Sequence, residues 1–246
     1  MNPIADNLSF VKNRIRIACE KANRNAKNVE LIAVSKSHSA EMIRNAFMAG
    51  QYSFGENYIP EGLDKVEALE DIRDRLTWHF IGPIQSNKTR FIAESFDWVQ
   101  SIDRLKIAQR LSDQRPRDLP DLNICLQVNI SGESSKSGVD PKEALLTCLD
   151  LAELPNLTLR GLMAIPEPGV SLESIKNFQK LFLDIQKHLK RHQFTNKFDT
   201  LSVGMSDDLE QAILGGSTMV RIGTAIFGER KIEEGSQEMN DDKNGI

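Results

Sequence analysis

Repetition constrains this chain more than any other feature. After an opening helical stretch, short apolar runs alternate with longer amphipathic segments. The runs cover residues 29–35, 52–55, 78–82, 98–102, 122–129, 157–165, 201–204 and 219–227. Segments with helical spacing separate most of them, at 40–49, 59–72, 87–94, 104–114, 142–153, 172–189 and 209–214. Strand–helix alternation of this kind returns the chain to the same end of a sheet each time, so the strands pair in parallel with helices outside. About eight such units in 246 residues fit a closed (β/α)8 TIM-type barrel better than an open, doubly wound sheet. The open alternative wants a glycine-rich turn after the first strand. Here that turn is Ser35-Lys36-Ser37-His38-Ser39, with no glycine. Ahead of the first run, Leu8, Val11, Ile15 and Ala18 share one helical face, so residues 1–26 are expected to add an N-terminal helix. No internal sequence repeat or composition shift divides the chain. A single α/β domain over residues 1–230 is expected, with a charged, mobile tail over 231–246.

Composition excludes several functional classes. The net charge of −4 gives no general attraction to nucleic acid or to anionic membranes, so any bound anion needs a local site. The three cysteines, Cys19, Cys125 and Cys148, are widely spaced and form no CxxC, which points to neither a disulfide framework nor a zinc site. His188 and His192 stand four apart on a helix, but Lys187, Lys190 and Arg191 around them mark a solvated basic face. The N-terminus is too charged for a secretory signal, and no stretch of about 18 apolar residues exists. A cytoplasmic protein is expected.

In a barrel of this kind, chemistry gathers where strands end and helices begin. The first run ends in Lys36. A cation at the mouth of a buried strand is costly to desolvate unless it is paired or used. Lysine there is a candidate to condense with an aldehyde such as pyridoxal 5'-phosphate (PLP); the alternative is a solvated lysine at a strand–loop junction. The other junctions carry Gly55-Glu56-Asn57-Tyr58, Gly82-Pro83-Ile84-Gln85-Ser86-Asn87-Lys88, Asn129 with the loop after it, Gly204-Met205-Ser206, and Gly223-Thr224. Amides, hydroxyls, glycines and cations therefore concentrate at one end, and no comparable cluster is expected at the other.

The last two junctions suit a phosphate, which barrels commonly hold after strands seven and eight. Ser206 precedes a helical segment and offers a hydroxyl and nearby N–H groups. Gly223 allows close backbone approach and Thr224 adds a hydroxyl. Ser206 can equally serve as a helix cap and Gly223 as a packing glycine. Arg221 interrupts the apolar run Val220-Arg221-Ile222. A guanidinium inside a barrel needs an acceptor, and a pyridine nitrogen qualifies. Because arginine stays protonated, such a nitrogen would remain unprotonated, a weak electron sink. A salt bridge to a carboxylate such as Glu56 is the alternative.

The stretches Ala33-Val34-Ser35-Lys36, Phe54-Gly55-Glu56-Asn57-Tyr58 and Trp78-His79-Phe80-Ile81-Gly82-Pro83-Ile84-Gln85-Ser86-Asn87-Lys88 resemble a known family. So do Ser135-Lys136-Ser137-Gly138, Gly161-Leu162-Met163-Ala164-Ile165, Leu201-Ser202-Val203-Gly204-Met205-Ser206-Asp207-Asp208 and Val220-Arg221-Ile222-Gly223-Thr224-Ala225-Ile226-Phe227-Gly228. Together they resemble the pyridoxal phosphate homeostasis proteins, PLP-binding barrels related to the alanine racemase N-terminal domain. Ser37-His38 and Ile59-Pro60 depart slightly from the family pattern and touch none of the proposed ligands. The resemblance implies that Lys36 forms the internal aldimine with PLP. It implies that Ser206, Gly223 and Thr224 hold the phosphate, that Arg221 faces the ring nitrogen, that Asn57 lies near the ring, and that His79 supports it from deeper in the barrel. Lys136 is a candidate for a second aldehyde-accepting amine, or simply a loop lysine.

Racemases of the related kind use a second domain that supplies a catalytic tyrosine. Only about 18 residues follow Gly228, too few for such a domain, and the two tyrosines, Tyr52 and Tyr58, both lie near the second strand. The expected function is therefore PLP binding, buffering and delivery without catalysis, by a monomer, with apo forms of PLP-dependent enzymes as recipients. A PLP-dependent racemase-like enzyme, or a Schiff-base aldolase barrel without PLP, are the alternatives.

Overall fold

The computed structural model describes residues 3–131, 137–194 and 197–229. Lys136 and the segment 231–246 lie outside the described residues. Eight strands form the sheet: β1 (Glu30–Val34), β2 (Ser53–Glu56), β3 (Thr77–Phe80), β4 (Trp98–Ile102), β5 (Leu122–Gln127), β6 (Leu157–Met163), β7 (Thr200–Ser202) and β8 (Met219–Ile222). They pair in sequence order, all parallel, and β8 returns to β1 to close a TIM-type α/β barrel. The helices are α1 (Pro3–Lys21), α2 (Ala40–Met48), α3 (Ile59–Ala68), α4 (Thr89–Ser95), α5 (Leu105–Gln114), α6 (Ala144–Ala152), α7 (Leu172–Arg191), α8 (Leu209–Leu214) and α9 (Thr224–Phe227).

Two elements differ from the sequence expectation. The run 219–227 is not one strand. Gly223 leaves the extended region (φ −111°, ψ −80°), and its carbonyl accepts the N–H groups of Ile226 and Phe227, which turns Thr224–Phe227 into helix. Ile226 and Phe227 are buried all the same, so an apolar run alone could not separate the two outcomes. The stretch 59–72 breaks at Leu69, which is buried in the core, and continues as a 3-10 segment over Glu70–Arg75.

Strand periodicity sorts side chains to two faces. Ala33, Phe54, Trp78, Val99, Ile124 and Leu162 face outward and join one large core with the inner faces of the helices. The N-terminal helix α1 contributes Leu8, Val11 and Ile15 to that core and packs on α2, α8 and α9. Because α9 is a single turn, α1 supplies the helical cover that the last βα unit lacks. Inside the barrel, Ile32, Trp98, Cys125, Met163 and Met219 form a separate small apolar cluster.

A buried polar chain crosses this interior. Arg221 Nη1 donates to Ser202 Oγ at 2.6 Å, and Ser202 Oγ donates to Gln100 Oε1 at 2.6 Å. That acceptor role turns the Gln100 Nε2 toward His79 Nδ1, at 3.0 Å, and toward Met219 Sδ, at 3.1 Å. Nδ1 of His79 therefore accepts and Nε2 carries the proton, with no partner among the described residues. His79 stacks on Trp98 at 5.2 Å between ring centroids. Burial pushes the His79 imidazole down to about 3, so it is neutral at physiological pH.

The amino end of the barrel is also polar, against expectation. Arg160 in β6 lies 4.7 Å over the Trp98 ring, donates to Asn123 Oδ1 at 2.9 Å and pairs with Asp199 at 2.9 Å. Asp199 stands just ahead of β7, too far along the sequence from Arg160 for the pair to be visible before folding.

Gly161 of β6 pairs with Thr200 of β7; a Cβ there would stand 1.7 Å from the Thr200 carbonyl oxygen. Gly161→Ala should therefore cost about 3 kcal/mol of unfolding free energy, read from the urea midpoint. His79 yields a pH prediction. Its folded pKa lies below its unfolded value, so the unfolded chain takes up the proton first as pH falls. Its contribution is full above the unfolded value of 6.5 and is lost toward the folded value of about 3. Between pH 7 and pH 5 that amounts to roughly 2 kcal/mol. His79→Gln should show a correspondingly smaller loss of stability over this interval than the parent protein.

Candidate functional site

The carboxyl ends of β7, β8, β1 and β2 are neighbours, and Lys36, Asn57, Ser206, Arg221, Gly223 and Thr224 all fall at these four strand ends, whereas His79 lies deeper, on β3. Ile32 in β1 faces inward, and Lys36 continues the same alternate row beyond Val34. The ladder runs one residue past the strand, since Ser35 N–H donates to the Gly55 carbonyl at 3.0 Å. The chain then turns sharply through Ser37 at φ 63°, a left-handed conformation uncommon for a residue other than glycine. Lys36 is partly buried in this turn.

On β2, Glu56 is fully buried and faces away from the barrel interior. It accepts from Lys65 Nζ of α3 at 2.8 Å and from Ser35 Oγ at 2.6 Å. Burial pushes its carboxyl above the usual range, with Lys65 opposing. The suggested Glu56–Arg221 salt bridge is therefore not formed. Asn57 follows, partly buried, and its Oδ1 is sealed from solvent and has no donor among the described residues. Such an acceptor costs about 1–3 kcal/mol unless something supplies a hydrogen bond. Gly82 packs directly on the Asn57 backbone; a Cβ there would stand 2.0 Å from the Asn57 carbonyl oxygen.

On β8, Arg221 is buried. Besides Ser202, its Nη2 donates to the Ala164 carbonyl at 2.9 Å. Both partners are neutral, and among the described residues Nε–H has no protein acceptor. Burial lowers the guanidinium to about 10, still a cation at neutral pH. One step further out, Gly223 lies against β1: a Cβ would approach the Val34 carbonyl oxygen to 3.1 Å. Thr224, the first residue of α9, is exposed.

On the β7 side, Gly204 holds φ +108° and leaves no room for a Cβ, which would lie 2.4 Å from that of Ala212. Arg221 N–H donates to the Gly204 carbonyl at 3.0 Å, which sets Ser206 at about the level of Gly223. Ser206 is not the cap of α8. The helix starts at Leu209, preceded by Asp208, whose carboxylate accepts the Met205 N–H. Residues 205–208 are used in a turn, so Ser206 sits in a loop and its hydroxyl makes no hydrogen bond among the described residues.

Helix α1 braces this corner, and sequence reasoning missed its part. Arg14 Nη2 donates to the Ser206 carbonyl at 2.9 Å and the guanidinium grips Glu210 at 2.7 and 2.8 Å. Asn7 Nδ2 donates to the Ile226 carbonyl of α9 at 2.9 Å. His38 and Phe227 rings meet at 5.2 Å, tying the Lys36 turn to α9. Nothing in the spacing of Asn7 and Arg14 along an exposed helix face points to contacts about 190 residues away or more.

The arrangement combines a primary amine, a buried cation with a spare donor, an unpartnered amide acceptor and hydroxyls beside an open backbone. It suits a flat ligand that carries an aldehyde, an aromatic acceptor and an anion. Among the described residues, no group of His, Cys, Asp and Glu could hold a metal ion, and no helix is long and apolar enough to cross a membrane.

Comparison with known proteins places the chain in a family. Residues 7–231 match the model of the alanine racemase N-terminal domain. The chain is 53% identical over 234 residues to the pyridoxal phosphate homeostasis protein of Pseudomonas aeruginosa, covering 94% of this chain and 97% of that one. It is 50% identical over 231 residues to the Escherichia coli K12 protein of the same name, covering 94% and 98%. Among solved structures, PipY of Synechococcus elongatus with PLP bound aligns with a TM-score of 0.78 at 33% identity, covering 92% of this chain and all of that one. The alanine racemase of Corynebacterium glutamicum shares the fold, with a TM-score of 0.64 at 18% identity, covering 97% of this chain and 63% of that one. The chain belongs to the alanine racemase N-terminal domain family and, within it, to the pyridoxal phosphate homeostasis proteins.

Proposed function

We propose that this protein binds pyridoxal 5'-phosphate through Lys36, as an aldimine, and serves to hold and release the cofactor rather than to catalyse with it. The observation that carries this reading is the meeting of Lys36, Asn57, Arg221 and Gly223 at adjacent strand ends, with the buried Asn57 Oδ1 left without a donor among the described residues. The PLP-bound PipY structure, 33% identical, supports the choice of ligand.

The bound group supplies an aldehyde that condenses reversibly with a primary amine, releasing water. Lys36 contributes that amine from a turn whose backbone is held on both sides. Gly223 keeps the rim open beside β1, and Ser206 and Thr224 offer hydroxyls to the phosphate. Arg221 would face the pyridine nitrogen as a donor and, remaining a cation itself, would leave that nitrogen unprotonated. Withholding that proton weakens the electron sink that carbanion chemistry requires. Racemisation also needs acid–base groups on two opposite faces. His79 is neutral and sealed in the barrel. Tyr58 is exposed on the rim, and Tyr52 precedes β2 at the other end of the barrel. In this reading the protein works in the cytoplasm, where its three buried thiols stay reduced, and apo PLP-dependent enzymes are its recipients.

Purified protein titrated with PLP should turn yellow, and borohydride should fix the cofactor to the peptide containing Lys36. Lys36→Ala should bind no coloured cofactor. An unchanged spectrum and affinity in that variant would refute the assignment. Incubation with D- or L-amino acids followed by chiral analysis should show no turnover; racemisation at about ten per second would make it an enzyme of ordinary speed.

A further inference from the structure

We infer that Lys65, with Glu61 and Glu56, is a positioning group that sets the direction of Lys36. The inference rests on the proposed role of Lys36. Lys65 lies on α3, is 5% exposed, and spends all three ammonium donors on protein acceptors. These are the Ser35 carbonyl at 2.7 Å, Glu56 Oε1 at 2.8 Å and Glu61 Oε1 at 2.6 Å. Glu61 Oε1 also accepts the Ser37 N–H. The Ser35 carbonyl belongs to the peptide that enters Lys36, and the Ser37 N–H to the peptide that leaves it. One ion cluster therefore holds both peptide planes of a single residue, and those planes define its φ and ψ. Glu56 adds a third tie through Ser35 Oγ at 2.6 Å.

Stability alone does not account for the cluster. A buried ion pair seldom stabilises more than apolar side chains of the same size, because desolvation offsets the attraction. Here the cost is visible: Glu56 Oε2 is buried without a partner among the described residues, and burial raises the Glu56 carboxyl despite the adjacent ammonium. Ser37 is held at φ 63°, which a side chain disfavours, by the bond to Glu61. What the cluster achieves is one fixed backbone geometry at the residue that presents the amine. Fixing a reacting group in this way is worth more than the individual bonds.

The test compares two ligands on the full chain. PLP needs both the phosphate corner and a correctly aimed amine; pyridoxine 5'-phosphate keeps the phosphate and ring but has no aldehyde. Lys65→Met should weaken PLP about tenfold or more, in line with other residues that orient a binding group, while pyridoxine 5'-phosphate binds as to the parent protein. Glu61→Gln, at a partly exposed position, should shift PLP in the same direction by a smaller factor, and it carries the test should Lys65→Met fail to fold. Equal weakening of both ligands would mean a general structural role and would overturn the inference. So would unchanged PLP affinity in a folded variant. Lys36→Ala, run in parallel, separates the two levels. If it retains PLP affinity, the role of Lys36 itself falls. If it loses PLP while the Lys65 and Glu61 variants do not, only the positioning role falls.

Discussion

β8 pairs with β1 in parallel, Ile32 opposite Arg221 and Ala33 opposite Ile222, and this pairing closes the barrel. Without it, Lys36 and Gly223 would lie on opposite edges of an open sheet. With it, the first and last strands place an amine beside a glycine whose backbone can approach an anion, and β2 and β7 flank them with Asn57 and Ser206. Closure also needs an outer cover. The last unit supplies only the single turn of α9, so α1 packs over α8 and α9 and holds the Ser206 loop by Arg14 and α9 by Asn7. The N-terminal helix is thus part of the site's scaffold.

The barrel interior buries a cation, Arg221, that pairs with no carboxylate among the described residues. Arg221 is held by a hydroxyl and a carbonyl, and the hydroxyl is oriented by Gln100 and, through it, by a neutral His79. Charge removed from water costs several kcal/mol unless its donors are satisfied. A guanidinium with a donor to spare close to the mouth fits a site that completes its hydrogen bonding with a ligand. The Asn57 Oδ1 complements it: among the described residues this buried acceptor has no donor, and it lies at the end of β2, on the other side of β1 from Arg221.

Much of this was legible in the sequence, for definite reasons. Eight apolar runs separated by helical spacing leave few topologies, and Lys36 and Arg221 stood out because charge rarely interrupts β-branched runs. Their structural neighbourhood then followed from strand order. Other features were hidden. The helical turn at Thr224–Phe227 buries the same side chains that a strand would have buried, so hydrophobicity gave no warning. Glu61 and Lys65 form an i,i+4 pair, a pattern that occurs on countless solvated helices; only the fold brings it under the Lys36 turn. Arg160 ties the amino end of the barrel to Asp199 and Trp98, partners that only the fold brings to it. Ser206 drew attention as a phosphate candidate, with a helix cap as the alternative, and its relation to Arg14 became visible only once α1 was placed.

The central claim is that one amine and one anion site, four strand ends wide, hold a single ligand across the closure seam. A crystal structure of the protein grown with PLP tests it most directly. The account requires electron density continuous from the Lys36 Nζ to the cofactor, with the phosphate against Ser206, Gly223 and Thr224 and the ring nitrogen within hydrogen-bonding distance of Arg221. Cofactor density attached to another lysine, or a phosphate seated away from the β7–β8 corner, would contradict it.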